Sequence, residues 1–204
     1  MSAALIVIAK APQPGRSKTR LSPPLSLAGA AALAEASLRD TLECAAEVPV
    51  ARRVIALDGE PGPWLRGGFE LVPQRGDGLD ERLAAAFEDV GGPAVLIGMD
   101  TPQLRPALLR QALARLQRAD AVLGPALDGG YWAIGLREPD RRLFEGVPMS
   151  SPHTCREQLE RLAAHGRSVA LLPQLRDVDL FDDARAVARL APRSRFASAL
   201  AAAA

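Results

Sequence analysis

Apolar and polar positions along this chain switch between two periods. Ala4 to Ala9 is an unbroken apolar run, the mark of a strand buried on both faces. Ser26 then predicts a helix N-cap, with a helix running to about Glu47. Leu27, Ala31, Ala34, Leu38, Leu42 and Ala45 recur along it at a spacing near that of an α-helix. Glu35, Arg39 and Glu43 form i,i+4 pairs on another face. Further strands are predicted at 53–57, 69–72, 94–98, 121–125, 131–136 and 168–172. Helices are predicted at 79–90, at 104–118, from Ser151-Pro152 to Gly166, and at 183–190. From Pro192 the chain turns polar and then poly-Ala, which predicts a disordered tail over 192–204, or an exposed helix at most.

Strands that alternate with helices predict an α/β fold, a three-layer sandwich around a mostly parallel sheet. Residues 1–191 form its one predicted domain. In such folds ligands bind where loops leave the carboxyl ends of strands. The residues that follow each strand therefore carry the functional argument.

The first strand is followed by Lys10-Ala-Pro-Gln-Pro14-Gly15-Arg16-Ser17-Lys18-Thr19-Arg20-Leu21. Lys10, Arg16, Lys18 and Arg20 place four cations within eleven residues, and the prolines and Gly15 hold the segment as an irregular loop. A stiff cationic loop at a strand end suits polyphosphate, because side-chain charge and backbone amides both serve phosphate oxygens. The segment is not a P-loop: Ser17 precedes Lys18 and the first glycine is missing.

Asp100 follows the fourth strand in Gly98-Met-Asp-Thr-Pro102. It reads either as a ligand for Mg²⁺ or Mn²⁺ shared with phosphate oxygens or as an N-cap for the next helix. Asp128-Gly129-Gly130-Tyr131 lies between two strands and reads as a hairpin turn or as a ligand-facing loop. Asp177 and Asp179 follow the last strand, as a second metal ligand or as a solvated acidic turn. Asp182 and Asp183 match a helix N-terminus. The loop from Gln74 to Arg82 is glycine-rich, and a helix cap accounts for most of it. His153 and His165 are isolated, and no Ser-His-Asp or Cys-His set can be assembled.

Composition narrows the picture. Only two of the 25 basic residues are lysine, and both fall in the loop after the first strand. The formal net charge of +1 argues against a nucleic-acid partner. Cys44 and Cys155 belong to no CxxC or Cys/His cluster, and free thiols fit a reducing cytoplasm. The run from Met1 to Ala9 is too short to span a membrane and has no signal-peptide architecture.

Together these segments resemble a small bacterial family of the glycosyltransferase-A (nucleotide-diphospho-sugar transferase) fold, over about residues 4 to 190. Its motifs are KxPxPGxxKTRL, QxGxxLGxRM, GxDxP, GPAxDGGYxxxG and a DVDTPEDL-like end. They correspond here to Lys10–Leu21, Gln74–Leu83, Gly98–Pro102, Gly124–Gly135 and Asp177–Asp183. Distant relatives include molybdenum-cofactor and phospholactate guanylyltransferases.

The resemblance implies that Lys10, Pro14, Gly15, Arg16, Lys18, Arg20 and Arg82 bind the nucleotide's phosphates. It implies Asp100 and Asp179 as ligands of Mg²⁺ or Mn²⁺, and a sugar or acceptor pocket lined by Asp128, Gly129, Gly130 and Tyr131. Asp100 and Asp128 are the catalytic candidates, Asp128 as general base. Three positions depart from the pattern: Met149 stands for a Trp before Ser150-Ser151, Asp80 for a Gly, and Asp179-Leu-Phe-Asp182 for Asp-Thr-Pro-Glu. The implied activity is metal-dependent glycosyl transfer from a nucleotide-diphospho-sugar to a small-molecule acceptor. Nucleotidyl transfer from a nucleoside triphosphate to a phosphorylated acceptor is the alternative enzyme. A non-catalytic nucleotide-binding module is the alternative outside catalysis.

Overall fold

The computed structural model describes residues 3–203. Met1, Ser2 and Ala204, which the expectations for the two chain ends include, lie outside them. Seven strands form one sheet: β1 (Ala4–Lys10), β2 (Arg53–Asp58), β3 (Glu70–Pro73), β4 (Ala94–Ile97), β5 (Ala121–Pro125), β6 (Tyr131–Leu136) and β7 (Val169–Leu171). Their order is β3-β2-β1-β4-β6-β5-β7. All neighbours are parallel except β6, which runs antiparallel to both β4 and β5. Every strand but β6 therefore ends at the same edge of the sheet, and the β5–β6 turn reaches that edge too.

Helices α1 (Leu27–Ala46), α2 (Leu79–Val90), α3 (Pro106–Leu116), α4 (Thr154–Ala164), α5 (Phe181–Leu190) and α6 (Arg195–Ala203) complete the fold. The central strands β1, β2, β4, β5 and β6 are apolar along their middles because both faces are covered, whereas the edge strands β3 and β7 are partly exposed. Leu5, Val7 and Ala9 point into a core with Leu38 and Leu42 of α1 and Leu109 of α3. Ala4 and Ile6 point the other way, into a core with Leu83 and Phe87 of α2 and Leu162 of α4. Burying one such large aliphatic or aromatic side chain contributes about 1.5–3 kcal/mol. Phe87 stacks on Phe144 with centroids 5.7 Å apart, so Phe87→Ala would both open a cavity and lose that contact.

Ser26 caps α1 as expected, its hydroxyl oxygen accepting from Gly29 N at 3.0 Å. Of the anticipated pairs on α1, Glu35–Arg39 forms, whereas Glu43 pairs with Arg66 and Arg195. Pro152 does not open α4. Thr154 N–H bonds back to Ser151 O, and the Thr154 hydroxyl donates to Pro148 O, so a turn occupies 150–153 before the helix begins. The expected disordered tail is a correction of another kind. α6 packs on α1 with Phe196 and Leu200 buried, because the few large residues among its alanines form one stripe that completes a third cluster.

Candidate phosphate and metal site

The loop after β1 is shaped by its own chemistry. Pro14 and Gly15 take the two central positions of a turn closed by Arg16 N donating to Gln13 O, and Gly15 has φ +75°. Proline followed by a positive-φ glycine is the type II pattern. The buried Ser17 hydroxyl donates to Ala11 O and accepts from Gln13 N, which ties the loop to its own base. Lys18 then adopts a left-handed conformation, φ 52° and ψ 37°, and aims its side chain inward. Left-handed backbone in a non-glycine residue needs tertiary compensation.

That compensation is visible. The Lys18 ammonium donates to Val178 O and stands 2.8 Å from Oδ1 of Asp100. The Lys18 side chain is 13% exposed and that of Asp100 45%. Val178 N–H in turn donates to Asp100 O at 2.9 Å. Arg20 reaches Asp179 at 2.6 Å. The segment after β7 is stitched across the strand ends by Leu175 N to Pro125 O, Leu127 N to Leu175 O and Gln103 Nε2 to Arg176 O. Three stretches far apart in sequence thus meet at one edge.

They enclose a cavity of about 260 Å³ lined by Lys10, Arg16, Lys18, Arg20, Asp100 and Asp179. Whole small-molecule sites run to about 300–1,000 Å³, so this one suits a phosphate chain better than an entire nucleotide. Beside it, Asp58 at the end of β2 lies 3.9 Å from Lys10 and 3.4 Å from Arg82. A larger cavity, about 450 Å³, lies at the opposite end of the sheet among Val50, Pro93, Leu113 and Leu116. Arg137 there donates to Ala119 O and lies 3.6 Å from Asp120.

The carboxylates fit a hard divalent cation in kind: oxygen donors, partly exposed, facing a phosphate-sized cavity. Among the described residues no cluster of three His, Cys, Asp or Glu side chains could hold a metal ion. Asp100 and Asp179 are each paired with a cation of the basic loop, Lys18 at 2.8 Å and Arg20 at 2.6 Å. Nearby, Asp177 is pushed up to about 6 by burial and then by the negative charges of Asp128 and Asp100.

The Asp128 segment divides. Asp128 Oδ1 accepts from Gly130 N at 2.8 Å, a local Asx turn. Gly129, at φ +91°, faces Pro152: an added Cβ would sit 2.1 Å from Pro152 O. Its close approach is therefore to the turn before α4. Tyr131 donates to Gln158 Oε1 at 3.2 Å, with burial pushing its phenol up, and it packs with the α2–α4 core. The Lys18–Asp100 cavity is lined by neither Asp128, Gly129, Gly130 nor Tyr131, and Arg82 stands beside it on Asp58 without lining it. Pro14 and Gly15 shape the loop without lining the cavity. Ser17, Asp58, Gln74 and Val178 join the site without having been singled out. Gln74 Nε2 bridges Ala9 O and Ala56 O, which sets the start of the loop that carries Arg82. Asp58 was signalled by its place at a strand end; Val178 acts through its backbone and left no signal.

The fold is that of the nucleotide-diphospho-sugar transferases, with its basic loop and strand-end acids brought together. The chain belongs to the family described as "Uncharacterized protein conserved in bacteria (DUF2064)", whose model matches residues 34–151. That span holds Asp100 and Asp128 and leaves out the basic loop and Asp179. A protein of known structure from Desulfovibrio desulfuricans G20, described as a "putative nucleotide-diphospho-sugar transferase", is 29% identical, with a TM-score of 0.88 over 98% of this chain and 95% of that one. CMP:2-keto-3-deoxy-manno-octonic acid synthetase complexed with CTP shares the fold at 14% identity and a TM-score of 0.60, over 95% of this chain and 99% of that one. Rv0371c from Mycobacterium tuberculosis H37Rv, in complex with manganese, shares it at 20% identity and a TM-score of 0.54, over 91% and 97%. No curated protein matches the sequence. No helix among the described residues is long and apolar enough to cross a membrane.

Proposed function

We propose that this chain is a transferase that uses a nucleotide-activated donor, with a nucleotide-diphospho-sugar as donor and a hydroxyl-bearing small molecule as acceptor. The observation that carries the reading is the single cavity in which Lys10, Arg16, Lys18 and Arg20 face Asp100 and Asp179. A site with both signs of charge suits a phosphate chain that arrives with its own cation. The name of the Desulfovibrio protein supports the donor class. The nucleotide-binding transferase domain extends past residue 191 to include α6, which packs on the rest of the fold, and the free thiols suit the cytoplasm.

In this reading Asp100 and Asp179 would hold Mg²⁺ or Mn²⁺, which supplies Lewis-acid neutralisation of the diphosphate leaving group. The manganese complex of a protein with this fold makes Mn²⁺ the first ion to try. The acceptor hydroxyl attacks the anomeric carbon as the bond to the diphosphate oxygen breaks. The bonding electrons leave with the diphosphate, and Lys10, Arg16 and Arg20 stabilise that charge where it develops. Asp128 takes the hydroxyl proton, its turn with Gly130 holding the carboxylate in place.

Nucleotidyl transfer to a phosphorylated acceptor is the second reading. Lys10 and Arg82, gathered around Asp58 beside the cavity, favour it, because they extend the cationic surface toward a longer phosphate chain. Thermal-shift titration with Mn²⁺ against nucleoside triphosphates and nucleotide sugars separates the two. Stabilisation by nucleotide sugars is expected; stabilisation by triphosphates alone would overturn the first reading.

A further inference from the structure

The third hydrophobic cluster lies outside both faces of the sheet. It joins Leu21 and Leu25, which end the basic loop, to Val178 in the segment after β7, with Phe196 and Leu200 of α6 packed among them. Leu21 is fully buried, Val178 and Phe196 are each 1% exposed, and Leu25 is 3% exposed. Val178 is also the residue whose N–H meets Asp100 O and whose carbonyl receives Lys18. The loop that carries the cations and the segment that carries Asp179 therefore stand on one apolar floor, and α6 supplies part of it.

α6 has nine residues, five of them alanine, too few for a stable helix in isolation. It is held by docking: Arg195 N and Phe196 N donate to the two carboxylate oxygens of Asp40 on α1, at 3.1 and 2.9 Å. A helix that needs its dock, beneath two segments that need a floor, couples the end of the chain to the cavity.

We propose that α6 sets the geometry of the phosphate cavity, with Phe196 as the positioning residue that acts through Leu21 and Val178 on Lys18 and Asp100. Its consequence for ligand binding rests on the phosphate reading of the cavity; the coupling itself does not.

The test uses the full chain as wild type, Phe196→Ala and Phe196→Leu. Hydrogen exchange is followed by mass spectrometry without ligand, and inorganic pyrophosphate with Mn²⁺ is titrated calorimetrically. Phe196→Ala should speed exchange at 16–22 and 176–180 while β1 and β4 stay protected. It should weaken pyrophosphate binding by about fivefold or more, the low end of ordinary coupling between sites. Phe196→Leu should recover most of both. Faster exchange confined to α6 and the facing side of α1 would overturn the proposal. If wild type binds no pyrophosphate, the phosphate reading falls and the exchange pattern alone decides the coupling. Should Phe196→Ala fail to fold, Leu200→Ala carries the same comparison.

Discussion

The Lys18 ammonium stands 2.8 Å from Oδ1 of Asp100, across 82 positions of sequence, and holds the carbonyl of Val178 as well. A lysine therefore stands on one oxygen of the carboxylate that the proposed mechanism gives to a metal ion. The same side chain closes the gap between the first loop and the last.

Lys18→Met should leave Asp100 without its cation and raise the affinity of the ligand-free chain for Mn²⁺. With Asp100 nearly half exposed the pair is worth roughly 1 kcal/mol, so the gain should be about fivefold. Nucleotide affinity should fall in the same variant. A Mn²⁺ titration followed by electron paramagnetic resonance checks this; equal or weaker Mn²⁺ binding would show that Lys18 does not compete for Asp100.

Asp100→Asn should lower metal-dependent turnover by about 10²-fold or more, the scale on which a single group that stabilises transition-state charge is felt. Asp179→Asn should lower it less, and neither should change stability by more than about 1 kcal/mol, since both carboxylates are partly exposed. Turnover and thermal denaturation measured together make the check. Full turnover in Asp100→Asn would remove this residue from the mechanism.

Gly129→Ala should be among the most damaging substitutions in the chain. The new Cβ would meet Pro152 backbone, and φ +91° is strained for any L side chain. A loss of about 3 kcal/mol or more is expected from strain and overpacking together. Gly130→Ala, where the nearest atom is an Asp128 oxygen at 3.1 Å, should cost less. Urea denaturation of both variants settles the order; equal stability would mean that the turn before α4 yields easily.

Asp120 carries a pH-dependent share of stability. Hydrogen bonds from the Ser168 hydroxyl and N–H hold its carboxyl below the usual carboxylate range. A depressed folded pKa gives stability that is present above the unfolded value and is lost as pH falls through the folded one. Ser168→Ala should therefore cost about 1 kcal/mol at neutral pH, and the difference from wild type should close below the normal carboxylate range. Denaturation at neutral pH and at about pH 3 tests this; a difference independent of pH would assign the loss to packing.

Element positions were legible because the residues that make them are local. The run at 4–9, the N-cap at Ser26 and the strands at 121–125 and 131–136 follow from period, capping and β-propensity alone. Where a boundary or element failed, a distant partner decided. Pro152 is kept out of α4 by a turn that Gly129 packs against, and α6 docks on α1 through Asp40, with Phe196 and Leu200 buried in one cluster with Leu21, Leu25 and Val178. Tyr131, prominent in a chain with so few aromatics, proved to be tied to Gln158 in the core.

The sequence by itself determined that strands alternate with helices, that a stiff cationic loop follows the first strand, and that acids follow the fourth and the last. Those are matters of side-chain type at neighbouring positions, and neighbours set period and turn. Only the tertiary structure decided that Lys18 meets Asp100, that Arg20 meets Asp179 and that Asp58 stands between Lys10 and Arg82. Those pairings depend on strand order. Residues far apart in the chain meet because β1 and β4 are neighbours in the sheet and the segment after β7 crosses the ends of β5 and β4. A linear pattern holds the charges of a site; the sheet decides which of them neutralise one another and which remain to face a ligand.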